Sequence, residues 1–423
     1  MKFHFIFKAV QMWLSGRDNR LTLASSMTRH SSPGVPPVVQ RAILHLSLAT
    51  FASMTIQRLC DPMLPALAQD FQASLGQVAA VISWFAVIYG AAQVFYGPLG
   101  DRFGKMRIIA LATLGCSLGC LGSALAASLD QLIWARMLAA ACAAAIIPMA
   151  MAWVGDVVAY EVRQETLARL GLGSTLGMVG GQIMGGLFTD TIGWRWAFAG
   201  MALMFMAVGT LLFRRHQAHD RLQTAEWTPT QQAFHRKVAR VLREKRPRLV
   251  LLTVMLEGAF AFGVVAMAAS HLHQQHAISL TLSGGVVALF GLGGVAYMLS
   301  ARTFIRRLGE NGMLRLGSLL FAVAFAVMAF APWWPLTLPA SLLAGLGFFM
   351  FHNTLQVLAT QMFPQERGTC MALFAASLFT GQSVGVLLAA SLIAWTGSAW
   401  VLAMGGLMLA VLGQSLPVFL RRC

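Results

Sequence analysis

The sequence predicts an all-α integral membrane protein of 12 transmembrane helices in two six-helix bundles, and three observations carry that reading. The chain of 423 residues is 57% hydrophobic and only 11% charged, against about 25% charged residues in soluble domains, so lipid must be the solvent for most of its surface. Crossing the hydrocarbon layer takes roughly 20 apolar residues per helix, and apolar runs begin near residues 42, 77, 107, 131, 167, 194, 248, 279, 313, 336, 368 and 397. The basic residues sort by loop: of 31 Lys and Arg, all but Arg58, Arg136 and Arg195 lie in the tails, the central loop or the alternate turns on the same side. Under the positive-inside rule this places both termini and the central loop in the cytoplasm and requires an even number of spans.

Residues 1–40, rich in Lys and Arg and running through Pro36-Pro37, read as a disordered cytoplasmic tail. Lys8 interrupts the apolar start from Met1 to Leu14 and no small-residue cleavage pattern follows, which argues against a signal peptide; Met27 is an alternative start. Residues 41–213 hold the first six spans. Residues 214–247 are basic, Gln-rich and poorly apolar, and form a linker expected to be helical in part from Thr230 to Arg246. Residues 248–423 hold the second six spans and a short tail. The loops on the opposite side, around Asp70, Asp130, Asp190, His271 to His276, Trp333-Trp334 and Ser398, are short and poor in Lys and Arg.

The two halves echo each other. Gly181-Gln182-Ile183-Met184-Gly185 in span five corresponds to Gly381-Gln382-Ser383-Val384-Gly385 in span eleven, displaced by 200 positions, and Arg102-Phe103-Gly104 corresponds to Arg307-Leu308-Gly309, displaced by 205. Two matches at nearly one displacement, in equivalent spans, point to an internal duplication.

Composition also excludes functions. Spans of about 20 residues leave no stretch for a soluble catalytic domain. Neither a Gly-x-x-x-x-Gly-Lys-Ser/Thr loop nor another nucleotide fingerprint is present, and no Ser/His/Asp set or metal-ligand cluster stands out. An enzyme is therefore the poorest reading, no cofactor or metal is expected, and an ion gradient is the expected energy source. The net charge of +16 follows membrane topology and gives no reason to invoke nucleic acid. The expected partners are a small-molecule substrate, protons and the bilayer, with the chain acting as a monomer in a bacterial cytoplasmic (inner) membrane. Six cysteines without Cys-x-x-Cys spacing read as small packing residues.

The turn Gly97-Pro98-Leu99-Gly100-Asp101-Arg102-Phe103-Gly104-Lys105-Met106-Arg107 is a glycine-rich acid-base segment between two apolar spans. It resembles the signature joining helices two and three of the major facilitator superfamily, Gly-x-x-x-Asp-Arg/Lys-x-Gly-Arg-Arg/Lys, departing where Met106 replaces a basic residue. The resemblance covers about residues 42–418. It implies a conformational gate made of Gly97, Asp101, Arg102, Gly104 and Lys105, with Asp156 at the end of span four pairing with its basic side. An ordinary topology-setting loop is the alternative.

Span five carries Gly177-x3-Gly181-Gln182-x2-Gly185-Gly186, which is similar to the antiporter signature Gly-x3-Gly-Pro-x2-Gly-Gly of this superfamily, with Gln182 in place of proline. Small residues every fourth position also serve close helix packing on their own. Gly193-Trp194-Arg195-Trp196-Ala197-Phe198 resembles the start of span six in drug-exporting members. Asp61-Pro62-Met63-Leu64-Pro65 looks like the acid-to-proline pattern ending span one in drug:proton antiporters. Arg136 stands where the family often has an arginine that assists the proton site, although Ala140 replaces the glycine that usually follows. An arginine there can instead snorkel to the interface.

Of the 15 acids, two fall where a span should be apolar, Asp61 and Glu257. Glu257 is nine residues beyond Arg248, roughly 13 Å into the layer at 1.5 Å per residue. A charge at that depth costs at least ~2.5 kcal/mol on insertion scales, so it should face the protein interior and suit a group alternating between neutral and charged forms. Glu257, Asp61 and Arg136 are thus the coupling candidates. For Asp61 a structural pair with Arg58, three positions earlier on one helix face, is an equal alternative. Gln93, His352, Asn353, Gln356 and Gln382 are polar groups that line a cavity or form interhelical hydrogen bonds. His271, His273 and His276 read as a solvated outer loop, with a weak metal site as the sharper alternative.

These expectations add up to a secondary transporter that exports small amphiphilic or drug-like molecules by proton antiport. Proton-coupled uptake of a sugar, organic acid or other metabolite is the alternative within transport, and a non-transporting receptor or regulatory protein the alternative outside it.

Overall fold

The computed structural model describes residues 37–158, 160–219, 234–363 and 367–422. Among them are 14 α-helices and no strand. Most of the expected tail, residues 220–233 of the linker, and Cys423 lie outside the described residues. The first described helix, α1 (Pro37–Arg58), includes residues 37–40, which the sequence assigns to the tail. A short α2 (Leu64–Asp70) follows a turn that carries Asp61. Then come α3 (Leu75–Phe103), α4 (Lys105–Ala124), α5 (Leu129–Val157), α6 (Tyr160–Thr191) and α7 (Trp194–His219). The linker contributes α8 (Phe234–Arg243), within the stretch expected to be helical.

The second half begins with α9 (Lys245–Glu257). A single π-helical turn, Gly258–Phe262, joins it to α10 (Gly263–His276). The remaining helices are α11 (Leu280–Phe330), α12 (Thr337–Gln361), α13 (Arg367–Thr396) and α14 (Ser398–Arg422). Among the described residues, 9 helices are long and apolar enough to cross a membrane. α1 falls outside that set because polar residues from Gln40 to Arg58 interrupt it, and α6 because its glycines and Gln182 keep its mean hydropathy low even beyond the charged first turns. The 51-residue α11 is two helices in geometry, broken at Gly309 with φ 62°. Its counterpart in the duplicated motif, Gly104, has φ 86° and separates α3 from α4. Both are left-handed conformations that glycine adopts without strain.

Three helices on the Asp70 and Asp190 face start with serine caps: Ser74 Oγ accepts from the Gln77 amide at 3.3 Å, Ser128 Oγ from Gln131 at 3.3 Å and Ser279 Oγ from Leu282 at 3.2 Å. Each satisfies an amide that the helix itself leaves without a partner. On the same face Asp70 accepts from Trp194 Nε1 at 2.7 Å and pairs with Arg195 at 3.1 Å, while Arg195 also donates to the Ala126 carbonyl at 3.2 Å. The Gly193 to Phe198 segment is thus a staple across three loop ends.

The expected loop at His271 to His276 is instead the end of α10. His271 is buried, its Nδ1 2.8 Å from Ser398 Oγ and its Nε2 3.3 Å from the Met328 carbonyl oxygen. Among the described residues no three His, Cys, Asp or Glu side chains come together as a metal site.

α1 and α6 meet along a glycine seam. A Cβ on Gly173 would lie 2.7 Å from the Ser47 carbonyl oxygen, one on Gly181 2.6 Å from that of Thr55, and those on Gly177 and Gly185 would collide with the Phe51 and Leu59 carbonyls. Thr55 Oγ1 completes the seam by donating to the Gly177 carbonyl at 3.1 Å. The second half repeats the arrangement at a displacement of 200, with Gly381 and Gly385 of α13 against the Met255 and Ala259 carbonyls. The close approach predicts that Gly181→Leu costs about 2–3 kcal/mol by forced separation. Gly200→Leu, mid-helix in α7 with nothing within 4 Å, should change stability by less than ~0.5 kcal/mol. Thermal unfolding in detergent compares the two, and equal midpoints would refute the seam.

Candidate functional site

The residues expected to act fall into three places: two buried polar clusters and one exposed turn. The first cluster stands on the α1–α6 seam. Gly181 and Gly185 bring the α6 backbone against α1, and Gln182 between them reaches the turn after α1, where its Nε2 donates to Asp61 Oδ2 at 2.7 Å. The glutamine that departs from the proline pattern is therefore the hydrogen-bond partner of the acid ending span one. Arg58 Nη1 stands 3.7 Å from the same oxygen, and both Asp61 and Arg58 are buried. The guanidinium of Arg58 also lies 4.2 Å over the Phe262 ring of the second half, a cation–π contact favoured where water is excluded.

Arg136 joins this neighbourhood from α5. It does not snorkel: it is completely buried, two turns inside α5, with Nη1 donating to the Ile56 carbonyl at 2.7 Å and the guanidinium 4.1 Å over Phe85. Asp61 and Arg136 interact electrostatically. Asp61 Oδ1, Gln182 Oε1, Arg58 Nε and Nη1, and Arg136 Nε and Nη2 have no protein hydrogen-bond partner. Buried polar atoms normally find one, so the cluster holds two guanidinium groups and one carboxylate with spare bonding capacity.

The second cluster is in the other half. Glu257 ends α9 at the π-turn, which begins with Gly258 because a Cβ there would collide with the Leu378 carbonyl of α13. π-turns inside helices are frequent at functional sites because they re-aim side chains. Glu257 is completely buried, and His352 Nδ1 on α12 lies 3.1 Å and 3.2 Å from its two oxygens. The His352 ring stacks on Phe348 at 5.2 Å and tilts against Phe374 at 5.4 Å. An aromatic shell thus encloses an acid held against an imidazole.

The other expected cavity residues disperse. Asn353 faces the Tyr297 hydroxyl, Gln93 faces that of Tyr89, and Gln356 is half-buried on α12. Gln382, equivalent to Gln182 in the duplication, is buried with Oε1 lacking a protein partner.

The third place is the exposed turn. Asp101 sits in the last turn of α3 and Lys105 opens α4, so each charge opposes the dipole of its own helix. They offset this mutually: Lys105 Nζ lies 3.4 Å from Asp101 Oδ1 and 2.6 Å from Asp156 Oδ2. Asp156 thus pairs with Lys105, while Arg102 stacks 5.0 Å from the ring of Phe103. Gly97 has open space around its Cβ position, and a Cβ on Gly100 would collide with Met149.

The sequence reading missed Arg58 as a site residue in its own right, the phenylalanines around His352, and Asp190. The phenylalanine cluster at 348–351 was visible, but which ring meets which histidine depends on helix rotation that periodicity does not encode.

Set beside known proteins, the chain matches the family model described as Major Facilitator Superfamily over residues 46–377. It is 25% identical over 385 residues to the MFS-type transporter YwfA of Bacillus subtilis, covering 89% of this chain and 91% of that protein. It is 30% identical over 173 residues to the multidrug export protein EmrB of Haemophilus influenzae, covering 40% of this chain and 34% of EmrB. The match to the MFS-type transporter phiD of a fungal species is 28% identical over 44% of this chain and 28% of phiD, so the chain spans only about a third of these two longer relatives.

Among solved structures, a bacterial homologue of the human lysosomal transporter Spinster, in an inward-facing and unoccupied conformation, gives a TM-score of 0.72 at 17% identity, covering 92% of this chain and 98% of that one. A variant of the nucleoside transporter NupG gives 0.74 at 12% identity, covering 89% and 99%. These two likenesses show the fold. A multi-pass helical membrane protein with that fold, matched by the family model over most of its length, belongs to the major facilitator superfamily of transporters.

Proposed function

We propose that the chain exports small amphiphilic or drug-like molecules by proton antiport across a bacterial inner membrane, with 12 spans, cytoplasmic termini and alternating access between its two halves. The observation that carries the reading is Glu257, a carboxylate with no solvent exposure held at 3.1 Å by His352 in an aromatic shell. A charge there is sustained only with a compensating partner, so protonation and partner position are coupled, as a proton-driven cycle requires. Asp61, with Arg58, Arg136 and Gln182, is the second titrating candidate. The export named for EmrB supports the outward direction. Lys105, Asp101 and Asp156 serve as the inner gate.

The uptake alternative is favoured by one observation: Gln182 occupies the antiporter proline position and hydrogen-bonds Asp61, so the span-five signature has a different chemistry from the exporters it resembles. Flux direction separates the two. With protein in vesicles under an imposed pH gradient, export of the probes tetraphenylphosphonium and neutral aromatic compounds should drive protons in the opposite direction, inward, whereas symport would move probe and proton the same way. Glu257→Gln should bring that movement to the level of protein-free vesicles while retaining compound binding. Proton movement that survives would transfer the role to Asp61.

Gln182→Leu removes a hydrogen bond to a charged group and should lower thermal stability by about 1.5–3 kcal/mol, an effect that Asp61→Asn should shrink when the two are combined. Independent, additive losses would mean the contact carries no energy.

Lys105→Ala breaks a half-exposed pair worth up to ~1 kcal/mol, so transport should slow by no more than roughly five-fold, and exchanging Lys105 and Asp156 should restore part of the rate. No recovery on exchange would count against the gate.

A further inference from the structure

We infer that Asp190 latches the two halves together on the face opposite the Asp101 turn, and that its release is a step in opening that face. Asp190 lies in the last turn of α6, in the first half, yet its carboxylate accepts three hydrogen bonds from the second half. Oδ1 takes the Leu280 amide at 3.3 Å, and Oδ2 takes the Thr281 amide at 2.6 Å and the Thr281 hydroxyl at 2.5 Å. Leu280 and Thr281 are the first two residues of α11, whose amides have no carbonyl of their own helix to reach. Ser279 caps the third amide at 3.2 Å from within the second half. The end of α11 is therefore capped jointly, partly by its own half and partly by the other.

The placement is unfavourable for α6 itself. A carboxylate in the last turn opposes the helix dipole, whereas the same charge at the start of another helix is favoured. Asp190 gains its stabilisation from α11, through charge-assisted bonds that are stronger than neutral ones. Those bonds exist only while α6 and α11 touch. The touch is close: a Cβ on Gly186 would lie 2.8 Å from the Thr281 amide nitrogen, and one on Gly284 would collide with the Gln182 carbonyl. Separation of these two helices by a few ångströms ends all three bonds together.

Around the Asp101 turn on the opposite face, Leu99, Asp101 and Phe103 are exposed, and Gly97, Gly155 and Gly368 have nothing within 4 Å of their Cβ positions among the described residues. The inference rests on alternating access between the halves, and on neither the substrate nor protons.

The test is a pulsed-EPR distance measurement on the full chain in lipid nanodiscs, without added compound. Spin labels go at Leu125→Cys and Gln275→Cys, both exposed on the latched face, in a background with the native cysteines replaced. Asp190→Ala should raise the long-distance population roughly five-fold, the weight of a capping side chain. Thr281→Val, which removes one bond and keeps the helix start, should move it in the same direction by less, and Ser279→Ala, which weakens the cap without touching the other half, should leave it unchanged. A distribution unaltered by Asp190→Ala and Thr281→Val, or altered equally by Ser279→Ala, overturns the latch. Because no substrate or pH gradient enters, a failed export assay and a failed latch are read separately.

Discussion

The approach of α6 to α1 at backbone contact is the constraint on which the buried chemistry depends. Gly173, Gly177, Gly181 and Gly185 face the carbonyls of Ser47, Phe51, Thr55 and Leu59 one turn at a time, and between helices in lipid such contact is made by small residues because hydrophobic exclusion is weak there. Without it the amide of Gln182 would not reach Asp61 at 2.7 Å, and a carboxylate with no solvent exposure would lose its hydrogen bond. The same geometry, displaced by 200 positions, sets α13 against α9 and the π-turn beside Glu257. Backbone packing comes first, and the charged groups occupy positions it creates.

Those groups are compensated in two different ways. Asp61 faces fixed cations: an arginine does not deprotonate in proteins, so Arg58 and Arg136 oppose the cost of burying the carboxylate. Glu257 faces a histidine, which is charged or neutral according to its proton. The first cluster is an ionic site with spare donors, the second an acid hydrogen-bonded to an imidazole. For the proton antiport proposed above, a histidine-paired acid is the better suited of the two, so Glu257 is placed before Asp61.

Much of this was legible in the residues. Charge scarcity and apolar runs define a helical membrane protein, and the 97–107 turn and the 177–186 glycines name the family. The matching displacements of Gly181 with Gly381 and Gly104 with Gly309 anticipate equivalent seams and equivalent left-handed breaks. The partners of the acids were less legible. His352 is 95 positions from Glu257 and Gln182 is 121 from Asp61, and separations of that size are set by tertiary packing. Snorkelling stood as an alternative for Arg136 because its nearness to a span's start is visible in sequence, whereas the inward rotation that aims it at Phe85 and Ile56 is not. The histidines at 271–276 were misread because a polar run between apolar segments resembles a loop, although burial of His271 against Ser398 and Met328 keeps the segment helical.

The two sides of α6 serve different ends, and this joins the site to the contact between the halves. One edge of the helix runs along α1 through the glycine seam, which fixes Asp61 within the first half. The other edge meets α11, where the backbone of Gln182 touches Gly284 and Gly186 touches Leu280 and Thr281. Gln182 stands on both: its side chain holds Asp61 while its carbonyl is part of the contact between halves. Arg58 spans the same divide, bound to Asp61 on one side and lying over Phe262 on the other. Any parting of the halves along α6 and α11 removes Gly284 from one side of this cluster and Phe262 from another. Guanidinium groups shielded by protein would then meet water, and Asp61 would meet the medium on that side. The glycine seam keeps the acid and its amide together through such a movement, so the change in environment falls on the charges and not on the hydrogen bond between them.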